Sequence, residues 1–289
     1  MTATADRSGE YTTLALTADD GTDLALHHWS PGADPAAAVF YVHGIQSHAG
    51  WLYETGPALA ARGIAVFALD RRGSGVSGGP RGHLPSVGQV SRDYALALAR
   101  TRELAPGLDL TIVGQSFGGS VLAALVTQGL VPRARLVFCA PALGQQRARL
   151  GSGEALAAVR AAAGPHSSPL SLADADYTDV SGYLDFMAND LLMIRRITAD
   201  TRAVMVGLED TYMRGGFWDD APGAPASVHF ARPEHDAVID LATSWQVLSG
   251  LTHRATAVDF AGSGHYIEFS AARHGYWQWL SEVAAGRAA

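Results

Sequence analysis

Lysine is missing from this chain. All 21 basic side chains among its 289 residues are arginine, scattered apart from the doublets Arg71-Arg72 and Arg195-Arg196. Set against 28 acidic residues, they leave a formal charge of −7. A chain with no basic stripe has little with which to neutralise phosphates, so no nucleic-acid partner is expected. Cysteine occurs once, which excludes an internal disulfide framework. That residue, Cys139, lies in the apolar run Leu136-Val137-Phe138-Cys139-Ala140 and reads as a small buried hydrophobe rather than a catalytic thiol. No uninterrupted apolar run approaches the length of a membrane span. The first ten residues contain no apolar stretch of the kind a secretory leader needs, so a cytoplasmic location is expected. Charged residues at 17% and hydrophobic ones at 48% describe an ordinary globular chain, long enough for one large α/β domain or two small ones.

What is present is an alternation of apolar runs. Residues 11–29 read as two strands about the turn Asp19-Asp20-Gly21-Thr22. Residues 37–42 and 64–69 are apolar at every position, as strands covered by helices on both faces are. Helices are predicted near 51–62 and 88–104, with a Gly/Ser/Pro-rich loop at 71–87 between the second buried strand and the second helix. A strand at 109–113, a helix at 116–129 and a strand at 135–140 follow. Repeated strand–helix alternation predicts a mainly parallel sheet wrapped by helices, with ligands bound beyond the carboxyl ends of the strands. His43, Asp70 and Ser116 all fall at such ends. From 142 to 214 the alternation gives way to helical patterning with polar breaks, and this span reads as an inserted helical cap. The core would then comprise 1–141 and 215–289, resuming with strands at 226–231 and 255–260 and helices near 239–250 and 271–286.

The segment Gly114-Gln115-Ser116-Phe117-Gly118 joins a strand to a helix through a turn so tight that side chains beside the serine would collide with backbone. Glycines relieve that collision and push the hydroxyl out above the sheet. The amide of Phe117 then faces the place where an oxyanion would form. A second amide, from Ile45 in the loop His43-Gly44-Ile45-Gln46-Ser47-His48, completes the pair, and His43 reads as a buttress of that loop. A serine needs a base, and the base needs an orienting acid. His265, in the glycine-rich loop after the strand at 255–260, is the histidine with that placement, whereas His253 and His274 read as surface residues. For the acid, Asp236 in Arg232-Pro233-Glu234-His235-Asp236 is the choice and Glu234 the alternative; Asp240 reads as the start of the next helix. The order Ser116, Asp236, His265 is that of the α/β-hydrolase arrangement.

Several stretches together resemble the monoacylglycerol lipase and lysophospholipase-like branch of the α/β-hydrolases, the serine-aminopeptidase-type family. They are Val42-His43-Gly44 with His48, Phe67-Ala68-Leu69-Asp70-Arg71-Arg72-Gly73-Ser74-Gly75, Gly79-Pro80-Arg81-Gly82-His83, the turn at 114–119, and Asn189-Asp190-Leu191-Leu192. The resemblance implies an α/β-hydrolase fold, Ser116, Asp236 and His265 as a triad, and Ile45 and Phe117 as oxyanion donors. The chain departs from the branch at Gln115, where histidine is usual, in the acidic loop, which lacks a glycine before Asp236, and after Asp190, where proline is absent.

The apolar candidates for a substrate pocket are Trp51, Tyr212, Phe217 and Trp218, with Tyr53, Leu150, Leu156, Tyr183, Phe186, Met187 and Met213 divided between pocket and core. No arginine cluster marks phosphate recognition, and Arg81 and His83 suit loop stabilisation as well as contact with a head group. Hydrolysis of a small, apolar carboxylic ester through an acyl-serine is the expected activity. The alternatives are acyl transfer, thioester cleavage or cyclisation by the same intermediate, and a non-catalytic ligand-binding protein on the same fold. No metal and no cofactor are expected, and the sequence carries no signal of oligomeric state.

Overall fold

Six-residue runs such as Ala37–Val42 and Ile64–Leu69 have every side chain buried, and a strand can meet that condition only with helices on both faces. A computed structural model describes residues 9–151 and 153–288; the first eight residues, to which most of the leader expectation refers, lie outside it. The chain runs through β1 (Glu10–Thr17), β2 (Asp23–Ser30), β3 (Ala37–Val42), α1 (Thr55–Ala60), β4 (Ile64–Leu69) and α2 (Val87–Leu104). It continues with β5 (Leu110–Gln115), α3 (Phe117–Thr127) and β6 (Arg135–Cys139). Between β6 and the next strand of the main sheet lie α4 (Gln145–Leu150), α5 (Glu154–Ala161), β7 (Ser167–Pro169), α6 (Ser181–Asn189), β8 (Arg196–Thr198) and α7 (Ala199–Arg214). The chain closes with β9 (Ser227–Pro233), α8 (Leu241–Leu251), β10 (Ala255–Phe260) and α9 (Arg273–Ala284).

Eight strands form one sheet in the order β1-β2-β4-β3-β5-β6-β9-β10. β2 pairs antiparallel with both β1 and β4, and every pairing from β4 to β10 is parallel. Alternation along each strand divides the core in two. Ala38, Phe40, Phe67, Ile112 and Phe138 face one layer, which includes residues of α2, α3, α7 and α8. Val39, Tyr41, Val66, Val113 and Val137 face the other, with α1 and α9. Ser86 caps α2 by accepting from the Gln89 amide, and Asp240 caps α8 by accepting from Ala242 and Thr243, as its place before an apolar helix leads one to expect.

The segment between β6 and β9 departs from the purely helical expectation, because β7 and β8 pair antiparallel within it. Its last helix, α7, packs on α3, and Val204, Leu208 and Tyr212 enter the same apolar layer as the sheet. A third apolar cluster of Trp51, Tyr177, Tyr183, Met187, Tyr266 and Phe269 joins this segment to the loops after β3 and β10. Among the described residues, no helix is long and apolar enough to cross a membrane.

Candidate active site

Ser116 sits between β5 and α3 with φ 53° and ψ −119°, a strained conformation for a residue with a β-carbon. The turn is held from both sides: its amide donates to the Cys139 carbonyl at 3.0 Å, and its carbonyl accepts from Gly119 and Ala142 at 2.9 Å. Gly118 is the residue the turn cannot replace, because a β-carbon there would lie 1.9 Å from the Val42 carbonyl oxygen. The backbone of α3 therefore presses directly against the end of β3, bringing the Ser116 hydroxyl beside the loop that follows β3.

His265 and Asp236, expected from their places after β10 and β9, meet Ser116 in space. His265 Nδ1 is 2.8 Å from Asp236 Oδ2, and His265 Nε2 is 3.0 Å from Ser116 Oγ. Ionised Asp236 can only accept, so Nδ1 carries the proton and Nε2 is left to accept from the serine hydroxyl. The other oxygen of Asp236 accepts from the Val238 and Ile239 amides, both at 2.8 Å, which fixes the carboxylate's orientation. The His265 and Asp236 side chains are 0% and 1% exposed. Glu234, the alternative acid, points elsewhere: it accepts from the Gly262 amide, and its side chain is 48% exposed.

The loop after β3 is braced more heavily than its sequence suggests. His43 donates from Nδ1 to the Gly44 carbonyl at 2.9 Å and accepts the Arg71 amide at Nε2. Burial and the neighbouring Arg71 charge hold its pKa well below the usual histidine range, which keeps it neutral for both roles. Asp70 accepts from the Ala49 amide at 2.7 Å. Burial pulls its pKa up, but hydrogen bonds and charge from His27 outweigh that and place it at about 2. The guanidinium of buried Arg71 donates to the carbonyls of Gly44 (3.1 Å) and Ile45 (3.0 Å) and lies 5.1 Å from the Phe117 ring centre. Its first contact is with the peptide unit whose N–H belongs to Ile45, so that amide is polarised. Neither the Ile45 nor the Phe117 amide has an acceptor among the described residues. Nothing in the local sequence singled out Arg71, because its contact depends on β3 and β4 being neighbours.

A cavity of about 280 Å³ lies against Ser116, Ile45 and Phe117. Leu150, Val159, Leu170, Leu172, Met205 and Ile239 supply apolar wall. The four aromatic residues expected there are elsewhere. Trp51 is 2% exposed in the cluster with Tyr177 and Phe269, its indole nitrogen donating to Asp190 at 2.7 Å. Tyr212 is wholly buried, and its hydroxyl accepts from the Gly144 amide. Trp218 stacks on Phe138 beneath the sheet and donates to Thr127, and Phe217 packs on His253. Large aromatic rings repay burial most when enclosed, and these are largely buried against other elements, so none of the four lines the cavity at Ser116. Of the other apolar candidates in this segment, Leu150 lines the cavity. Arg81 donates to the carbonyls of Gly75 and Leu192, and His83 contacts Thr198, so both stabilise loops. Cys139 is buried, and burial pushes its thiol up to about 12, consistent with an inert side chain.

Three residues after His265, Glu268 is buried. One oxygen accepts from the Tyr41 hydroxyl, while Oε2 has no partner among the described residues. Burial pushes its pKa up to about 7. The folded chain therefore holds a proton there that the unfolded chain has lost. Stability is fully present below about pH 4.5 and declines as pH rises through 7, by on the order of 3 kcal/mol in total. Glu268→Gln is expected to flatten this dependence, raising the Tm at pH 8 relative to the parent by several degrees; unfolding scans on either side of neutrality test it.

The crossing order of the sheet, the strained serine turn and the Ser116–His265–Asp236 line define an α/β-hydrolase. A family model described as Serine aminopeptidase, S33 matches residues 33–269, and the chain belongs to that family. It is 33% identical over 104 residues to the monoacylglycerol lipase of Mycolicibacterium smegmatis, covering 36% of this chain and 37% of that one. It is 31% identical over 102 residues to the human monoglyceride lipase, covering 35% of this chain and 34% of the relative. The matched stretch thus spans about a third of each of these relatives' own length. Among solved structures, the monoacylglycerol lipase of Paleococcus ferrophilus superposes with a TM-score of 0.75 at 19% identity, covering 92% of this chain and 99% of that one. A monoglyceride lipase of Saccharomyces cerevisiae, in complex with a substrate analogue, gives 0.77 at 14% identity, covering 100% and 98%. The branch resemblance drawn from the motifs and the expected fold both hold.

Proposed function

We propose that this chain is a serine hydrolase that cleaves a small carboxylic ester through a covalent acyl-serine, with Ser116, His265 and Asp236 as its triad. The observation that carries this reading is the continuous hydrogen-bonded line from Asp236 to Ser116, at a cavity shared with Ile45 and Phe117, whose amides have no acceptor among the described residues. His265 Nε2 takes the proton of Ser116 Oγ as that oxygen attacks the ester carbonyl carbon. The amides of Ile45 and Phe117 receive the resulting oxyanion, each such donor being worth about 3 kcal/mol of barrier. Arg71 sharpens the first of them by drawing on the Gly44 carbonyl. His265 then returns its proton to the departing alkoxide oxygen, and water, deprotonated by the same nitrogen, cleaves the acyl-serine to give the acid.

The segment at 142–214 serves as the cap. α4, α5 and the stretch after β7 roof the cavity, while α7 extends Arg202 and Met205 into it and joins the core through Leu208 and Tyr212. At about 280 Å³ the cavity lies just below the usual range for ligand pockets, roughly 300–1,000 Å³, which favours short acyl groups over long lipid chains. A cytoplasmic setting belongs to the same reading. Intact-mass measurement after treatment with a fluorophosphonate, together with hydrolysis of a series of p-nitrophenyl esters, tests it. One adduct and a preference for short chains are expected; a folded chain that takes no adduct overturns the reading.

A further inference from the structure

Two arginines line the cavity beside Ser116, and neither meets a carboxylate among the described residues. Several arginines close to them in the chain do, although Arg196 meets only Ser167. Arg147 pairs with Glu209 and Asp210, Arg160 and Arg214 pair with Asp210, and Arg195 pairs with Asp174. Arg149, on α4, instead donates through Nη2 to the Val238 carbonyl. Arg202, on α7, donates to Ser168 Oγ at 3.0 Å and to the Pro169 carbonyl at 2.9 Å. Val238 is part of the cavity wall, and Pro169 immediately precedes Leu170, which is too. Arg149 is therefore tied to that wall while staying solvent-exposed, and Arg202, half-buried, is tied to the strand that leads into it. Their acceptors are neutral, so both charges stay uncompensated, and Nη1 of each is unused among the described residues. Among the described residues no aspartate or glutamate lines the cavity, although acids outnumber bases by 28 to 21 in the chain as a whole. Two uncompensated cations beside apolar walls attract an anion more strongly than the same charges in open water.

We propose that the substrate is an ester bearing a second, anionic group, a carboxylate or phosphate, which Arg149 and Arg202 hold while the ester carbonyl rests on Ser116. This rests on the serine-hydrolase reading above and specifies its substrate class. The small apolar space between the serine and the arginines would take the short chain joining the two functional groups.

Matched substrate pairs test it. The p-nitrophenyl half-ester of adipic acid, against the same compound methylated at its free carboxylate, places the charge on the acyl side. A butyryl ester of glycerol phosphate, against butyrylglycerol, places it on the alcohol side. In at least one pair the charged member is expected to have the higher kcat/KM by about tenfold or more, as charge-assisted hydrogen bonds allow. The preference should shrink as salt is added. Arg149→Gln and Arg202→Gln are each expected to reduce it by about tenfold. Because Arg202 also clamps the strand at Ser167–Pro169, thermal unfolding checks that variant, and Arg149→Gln decides alone if it does not fold. Equal rates within both pairs, a preference for the neutral members, or a preference that survives substitution overturns the proposal. If the chain still labels with fluorophosphonate in that case, the hydrolase reading stands without it; a folded chain that neither labels nor turns over any of these esters overturns both.

Discussion

Ser116→Ala is expected to lower kcat for any ester substrate by about 10⁶ and to abolish the fluorophosphonate adduct. The size of the effect follows from the geometry. Ser116 Oγ is the atom His265 Nε2 faces at 3.0 Å, and its removal leaves the base with nothing to deprotonate except water. Alanine keeps the β-carbon and tolerates the same backbone as serine, so the strained φ of 53° is neither relieved nor worsened. The variant should therefore melt close to the parent. Ester turnover within tenfold of wild type in a folded variant would mean that another group is the nucleophile and that the triad assignment is wrong.

The second large effect is expected at Asp236→Asn, about a 10⁴-fold loss of kcat. Asparagine can keep one oxygen on the Val238 and Ile239 amides, which preserves the loop. Its amide nitrogen would then face His265 Nδ1 and turn that nitrogen into an acceptor. The ring proton moves to Nε2, which presents a donor to Ser116 where an acceptor is needed. Glu234→Gln is the matched control, since Glu234 lies on the surface and holds the Gly262 amide. Its kcat should stay within a few-fold of wild type. Steady-state kinetics on the two variants side by side would reverse the acid assignment if the losses came out the other way round.

Much of the fold could be read from the chain because the signals are short-range. Strands β3 and β4 declare themselves by six consecutive apolar residues, and β10 falls where its run of residues 255–260 places it. The serine turn was legible for the same reason: Gly114, Ser116 and Gly118 act on one another across a single bend. His265 followed from chain order, being the histidine in a loop after the last strand. The small β7–β8 pair was not legible, since three-residue strands bury too little to leave a period.

The pocket was the least legible part, and Trp51 and Tyr212 show why. An aromatic side chain on an apolar stripe looks the same in sequence whether it seals a core or faces a ligand; what distinguishes the two is whether a neighbouring element covers it. Tyr177 and Phe269 cover Trp51, and Tyr212 is covered where α7 meets α3.

Strand and helix order, the strained serine turn and the candidate general base are thus legible in the chain alone, because sterics and burial patterning operate within a few residues. The choice of Asp236 over Glu234, the bracing of the Ile45 amide by Arg71, and the meeting of Arg149 with Arg202 around one cavity belong to the tertiary structure. Each depends on the distance between residues from different elements, and that distance is set only when the sheet and the segment after β6 pack together.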